Sequence, residues 1–358
     1  MTPLGRLLAR RIALDGPIPL SDYMAECLLN PSHGYYATRD PFGAAGDFTT
    51  APEISQMFGE LVGLCLAQCW LDQGRPEPFA LAEVGPGRGT LMADMLRAMR
   101  SVPGMLAAAK VHLVEASPAL RARQARALTG LAPEWHDRVE GLPDLPLFLV
   151  ANEFFDALPI RQFERRGTGW AERMVTLRAD RLAPGLGPVT PYPALSHRVA
   201  ETCEGDVVET CPAAAAIAGE IGRRVARRGG AALVVDYGGW RSLGDTFQAL
   251  KGHAPADPFA EPGEADLTAH VDFQALALAF AAEGAAVTAM TPQGVFLERL
   301  GIAARAEVLA RGLAEGRLRT HLAAHRRLTH PDEMGQLFKV IAAYPQGEAP
   351  PPGLDPAG

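Results

Sequence analysis

An α/β fold built on a doubly wound, mostly parallel sheet is what this sequence predicts, and three observations predict it. Short apolar runs at Phe79–Val84, Val111–Val114, Leu147–Ala151 and Ala231–Val235 read as strands. Helical stretches over Thr90–Arg100 and Pro118–Leu128 alternate with them, and that alternation gives a parallel sheet with helices on both faces. A glycine-rich turn, Gly85-Pro-Gly-Arg-Gly89, joins a strand to a helix. Glycines there let the backbone turn sharply and come close to a ligand.

The elements follow in chain order. Residues 1–75 are expected to form an N-terminal helical segment and lid. Leu4, Leu7, Leu8 and Ile12 are interleaved with Arg6, Arg10 and Arg11; a helix packed on the domain is one reading, an Arg-rich targeting peptide the other. Apolar residues at Ile54, Met57, Phe58, Leu61, Val62, Cys65, Leu66, Cys69 and Trp70 have helical spacing. Thr50 and Glu53 fit a capping box at the start of that helix, and Gly74 ends it. The α/β core is expected over 76–250. Gln162–Glu164 and Glu172–Leu177, around Arg-Gly-Thr-Gly, predict a hairpin insertion near 161–200. Residues 251–333 read as a helical cap, 334–345 as a final core strand, and 346–358, with three consecutive prolines, as a disordered tail.

Composition narrows the function classes. The net charge of −7 and the absence of a long basic run argue against a nucleic-acid partner. Five cysteines without a Cys-x-x-Cys pair fit a reducing compartment, so a cytoplasmic setting is expected, and the Arg-, Ala-, Gly- and Pro-rich composition looks bacterial. No apolar run approaches the roughly 18 residues of a membrane span. His321 and His325 are four apart on a helix but lack the acid of His-Glu-x-x-His, so they read as a solvated face and no metal site is expected. No Gly-x-Ser-x-Gly nucleophile elbow occurs.

The chemistry concentrates at strand ends. In Glu83-Val-Gly-Pro-Gly-Arg-Gly-Thr90, a dinucleotide fingerprint would place glycine where Thr90 stands. Glycines at Gly85, Gly87 and Gly89, with Glu83 two residues before them, suit a cationic, amine-bearing ligand such as S-adenosylmethionine; a nicotinamide oxidoreductase is the rival. Glu115 ends the next strand, placed to hold two ribose hydroxyls, or else to cap the following helix. After the strand ending at Ala151 comes Asn152-Glu-Phe-Phe-Asp156. Asn152 is a candidate for orienting cofactor or substrate, and Glu153 and Asp156 for binding a cationic acceptor. Phe155 reads as core, and Asp156 as a helix cap is the plain alternative. His270 stands between Asp266 and Asp272, either to move a proton or as a structural node.

The stretches His33–Tyr36, Asp40–Gly43, Gly46–Glu60, Glu83–Met92, His112–Pro118, Ala151–Phe163, Val235–Gly238, Ala265–Phe273 and Gly335–Lys339 resemble, in order, the MidA-like (DUF185) family of complex I assembly methyltransferases. The resemblance implies a Rossmann-like class I methyltransferase fold and S-adenosyl-L-methionine as cofactor. It also implies methylation of a protein arginine, with a subunit of respiratory NADH dehydrogenase as the partner in eukaryotes. On that basis Asp47 and Thr49 are expected to close over the cofactor, with Gly43 and Gly46 as hinges. The expected cofactor-binding set is therefore Asp47, Thr49, Glu83, Gly85, Gly87, Gly89, Glu115 and Asn152. The expected catalytic set is Glu153, Asp156 and His270. A non-catalytic, cofactor-binding assembly chaperone is the alternative from a different class.

Overall fold

The computed structural model describes residues 1–38 and 49–357. They fall into two units. One contains Thr49–Phe155, Ala215–Trp240 and Phe273–Gly358 and carries the main sheet. Its strands include β1 (Phe79–Val84), β2 (Ala109–Val114), β3 (Glu134–His136), β4 (Leu147–Asn152), β5 (Gly230–Gly239), β6 (Ala286–Val287) and β7 (Phe338–Tyr344). They lie in the order β3-β2-β1-β4-β5-β7-β6. The first five run parallel, and β7 is antiparallel to both β5 and β6.

All six residues of β1 and of β4 are buried, which explains why these strands appear as continuous apolar runs rather than alternating patterns. The sheet grows outward from β1 in one direction through β2 and β3, then from β4 in the other. That reversal makes the carboxyl ends of β1 and β4 the topological switch point, where such sheets bind ligands. Glu83, Gly85, Asn152 and Glu153 all lie there.

Helix α1 (Gln56–Asp72) packs on α2 (Thr90–Met99), which follows the glycine turn. Gly63 permits the close approach, since a Cβ there would stand 2.7 Å from the Met95 Cα. The expected capping box is not formed. Thr50 precedes a separate short helix, Ala51–Ile54, and makes no side-chain cap. Ser55 interrupts the run and caps α1 instead, its Oγ accepting from the Met57 N–H at 3.3 Å. The late strand expected from Met334 begins later, because Met334–Leu337 is a helical turn leading into β7.

The tail expected to be disordered is packed. Leu354 is buried in the same core as α1 and β7. The Ala289 N–H donates to the Asp355 carbonyl, and Arg299 pairs with the Asp355 carboxylate at 2.8 Å. Proline content alone misjudged a segment that has an apolar anchor and a charged partner.

The other unit contains Met1–Phe48, Asp156–Ala214 and Arg241–Asp272. Helices Pro3–Asp15 and Leu20–Leu29 bury Leu4, Leu8, Tyr23 and Met24 against Ile160, Val175 and Leu267. The expected hairpin is present as Arg161–Arg166 and Gly169–Arg178, and strands Arg181–Thr190 and Val207–Thr210 extend it. The N-terminal helices and the insertion thus share one core, where sequence order had put them in separate segments. Within 251–333, the chain up to Asp272 belongs to this unit, and the helices from Phe273 belong to the unit of the main sheet. No helix among the described residues is long and apolar enough to cross a membrane.

Candidate active site

Gly85, Gly87 and Gly89 have φ of +67°, +50° and +84°, left-handed values that favour glycine. Gly85 is doubly constrained, since a Cβ there would stand 2.8 Å from the Phe154 ring. The turn therefore lies close against the segment that follows β4. On the opposite side, Gln124 Nε2 donates to the Gly87 carbonyl at 2.8 Å and to Glu115 Oε2 at 3.2 Å. Gln124 Oε1 accepts from the Trp135 indole. This fully buried amide ties the glycine turn to the end of β2, and no sequence signal pointed to it.

Glu83 is buried, and burial pushes its carboxyl up to about 8. Among the described residues its Oε2 has no hydrogen-bond partner. Among the same residues Oδ1 of Asn152, buried on the adjacent strand β4, has none either. Buried acceptors without partners are uncommon and call for an explanation. A ligand bringing ammonium and hydroxyl donors supplies one, so the residues present fit the amino-acid and ribose groups of S-adenosylmethionine.

Of the two readings of Glu115, the contact at the start of its helix is formed. Its Oε1 accepts from the Ser117 N–H at 2.8 Å, at the start of helix Pro118–Ala127. The carboxylate also sits at the end of β2 beside the glycine turn, where ribose is expected. Burial raises its pKa, offset in part by the Ser117 N–H and Gln124.

Glu153 adopts a left-handed φ of +53°. Its Oε1 accepts from the Ala51 N–H at 2.8 Å and from Asn152 Nδ2 at 3.0 Å. Burial raises its carboxyl to about 7. This carboxylate thus holds the first turn of helix Ala51–Ile54. Glu53 on that helix accepts from the Thr90 hydroxyl, and its other oxygen lies 3.8 Å from Arg88. The residue expected to close a capping box therefore pins its helix to the glycine turn.

Asp236, fully buried near the end of β5, was missed as a site residue although its motif stood out in the sequence. Its Oδ2 accepts from the Phe154 and Phe155 N–H groups at 3.2 and 2.9 Å, fixing the path of the chain just after Glu153. An acid inside an apolar strand was the available signal. Phe155 is core, as expected.

Asp156 and His270 belong to the other unit. Asp156 is buried, and its carbonyl accepts from the Ala269 N–H. His270 is exposed, and its N–H donates to the Thr246 hydroxyl at 2.9 Å. Thr49 is half-buried just ahead of helix Ala51–Ile54. Asp47, Gly43 and Gly46 lie outside the described residues. The pair read as a solvated face is partly covered: His321 Nε2 lies 2.9 Å from the Ala306 carbonyl, and His325 Nε2 lies 3.7 Å from Glu298.

Comparison with known proteins places the chain in a family. Residues 61–291 match the model of a family described as S-adenosyl-L-methionine-dependent methyltransferases. The mitochondrial protein arginine methyltransferase NDUFAF7 of Homo sapiens is 38% identical over 377 residues, covering 96% of this chain and 84% of that protein. Its Xenopus laevis counterpart is 37% identical, covering 94% and 83%. A Burkholderia thailandensis protein solved with S-adenosylhomocysteine bound superposes with a TM-score of 0.83 at 31% identity, covering 98% of this chain and 93% of that one.

Proposed function

This chain belongs to the S-adenosyl-L-methionine-dependent methyltransferase family, and from that premise we propose that its acceptor is an arginine side chain of a protein. The observation that carries the proposal is the near full-length similarity to proteins named as arginine methyltransferases. A subunit of respiratory NADH dehydrogenase is the proposed partner, following the family resemblance, and the bacterial cytoplasm the proposed location.

The bound donor supplies a methyl group on a sulfonium, already a good leaving group. The protein's task is then alignment of donor and acceptor. Glu83 and Asn152 are proposed to receive the donor's amino group, Glu115 its ribose, and the backbone of Gly85–Gly89 to line its path. Arginine is protonated in solution, so a proton must leave during or after transfer. Glu153 and Asp156 are the proposed acceptor carboxylates; a carboxylate on the other guanidinium nitrogens concentrates nucleophilicity on the reacting one. His270 is the proposed proton acceptor.

Glu153→Gln tests the assignment. It keeps an oxygen for the Ala51 N–H but removes the charge that would face a guanidinium. The expected result is S-adenosylhomocysteine affinity within about twofold of wild type and methyl transfer reduced by at least about a hundredfold. Full transfer would remove Glu153 from the acceptor side. Loss of donor binding would instead make it part of the donor pocket, leaving Asp156 as the acceptor carboxylate.

A further inference from the structure

The outer edge of the main sheet carries a cluster of residues with no part in the donor and acceptor roles assigned above. β2 and β3 pair in parallel, with His112 opposite Glu134 and Val114 opposite His136. Side chains alternate along a strand, so Glu134 and His136 share one face of β3, and His112 meets them from β2. His112 Nδ1 lies 3.0 Å from His136 Nε2 and 3.9 Å from Glu134 Oε2. One ligand atom from each of the three residues falls within 4.8 Å of the others.

We propose that His112, Glu134 and His136 form a binding site for a zinc-class divalent cation, and that the bound cation staples the edge strand β3 to β2. Tetrahedral zinc with bonds of roughly 2.0–2.1 Å holds its ligand atoms about 3.3 Å apart, between the two separations found here. Two imidazoles and a carboxylate suit zinc better than calcium or magnesium, which favour all-oxygen shells. With no cation, two ring nitrogens in contact must share one proton; a cation replaces that proton and engages both lone pairs. Glu134 is largely exposed while His112 is buried, so the site has a solvent side for entry and a fixed inner ligand. β3 is only three residues long and, among the described residues, has a neighbour on one side alone, so it gains most from a staple.

The site also bears on the donor pocket. The Glu115 N–H donates to the His136 carbonyl at 2.9 Å. Arg121 joins the Glu115 carbonyl to the Asp137 carboxylate, at 2.7 and 2.6 Å. A cation on His136 therefore fixes the strand end that presents Glu115.

The test is titration of chelator-stripped, full-length protein with zinc chloride by calorimetry, with the bound metal counted by elemental analysis. Wild type is expected to bind one equivalent. His136→Gln and the exposed Glu134→Gln are each expected to weaken binding at least tenfold, while both retain the fold by circular dichroism. His321→Ala/His325→Ala, the remaining spaced histidine pair, is expected to bind like wild type. Adding zinc is further expected to raise the melting temperature of wild type but not of His136→Gln. No one-to-one binding by wild type would overturn the proposal. So would undiminished binding by His136→Gln, or loss of binding in the His321/His325 variant.

Discussion

Single side chains at the switch point carry the account's most direct tests. Glu83 has a folded pKa near 8, against an ordinary 4.5, because burial disfavours its charge. Between those values the folded state holds a proton that the unfolded state has released, so the Glu83 contribution to stability falls as pH rises from about 4.5 to 8. Glu153, raised to about 7, acts with the same sign over a narrower range. Glu83→Gln should therefore lose less melting temperature than wild type between pH 5 and pH 8 without ligand. Parallel pH profiles for the two proteins would mean that Glu83 is not held neutral by burial. At Glu115, replacement by Gln removes a charged acceptor of about 1.5–3 kcal/mol. S-adenosylhomocysteine should then bind roughly tenfold to a hundredfold more weakly. If titration shows less than about a twofold change while stability drops, Glu115 serves its helix and not the ribose.

At the scale of elements, helix α1 and the short helix before it offer a clean comparison. Ser55 caps α1 and Thr50 caps nothing. Ser55→Ala should cost about 1 kcal/mol in denaturant unfolding, and Thr50→Ala should stay within about 0.5 kcal/mol. Equal losses would restore the capping box the sequence suggested. This pair also marks what was legible in advance. The order of strands and helices could be read because β1, β4 and β5 are buried on both faces and so leave unbroken apolar runs. Glu83 and Glu115 could be read because strand ends in such sheets have predictable positions. Gln124 could not, because its importance lies in hydrogen bonds to segments distant in sequence, whereas Asp236 left a signal, an acid inside an apolar strand, that went unused. Ser55 escaped because periodicity ran straight through it. The tail was misread because composition describes a segment without its neighbours: Leu354 is held in the main core, and Asp355 by Ala289 and Arg299. The histidine cluster joins two strands 24 residues apart, beyond the reach of any motif spacing.

At the scale of the whole molecule, a sheet of order β3-β2-β1-β4-β5-β7-β6 presents Glu83, the glycine turn, Glu115, Asn152 and Glu153 at one end. The second unit holds Asp156 and His270 and is built around the N-terminal helices and the inserted strands. The proposal that this molecule methylates arginine on a protein is most directly tested by mass spectrometry of the proteome from cells with and without the chain. The account predicts at least one arginine peptide that carries a methyl group only when the chain is present, and that regains it when purified protein and S-adenosylmethionine are added to the deficient extract. An unchanged set of methylarginine peptides, with methyl groups appearing on another residue type or on a small molecule, would contradict it.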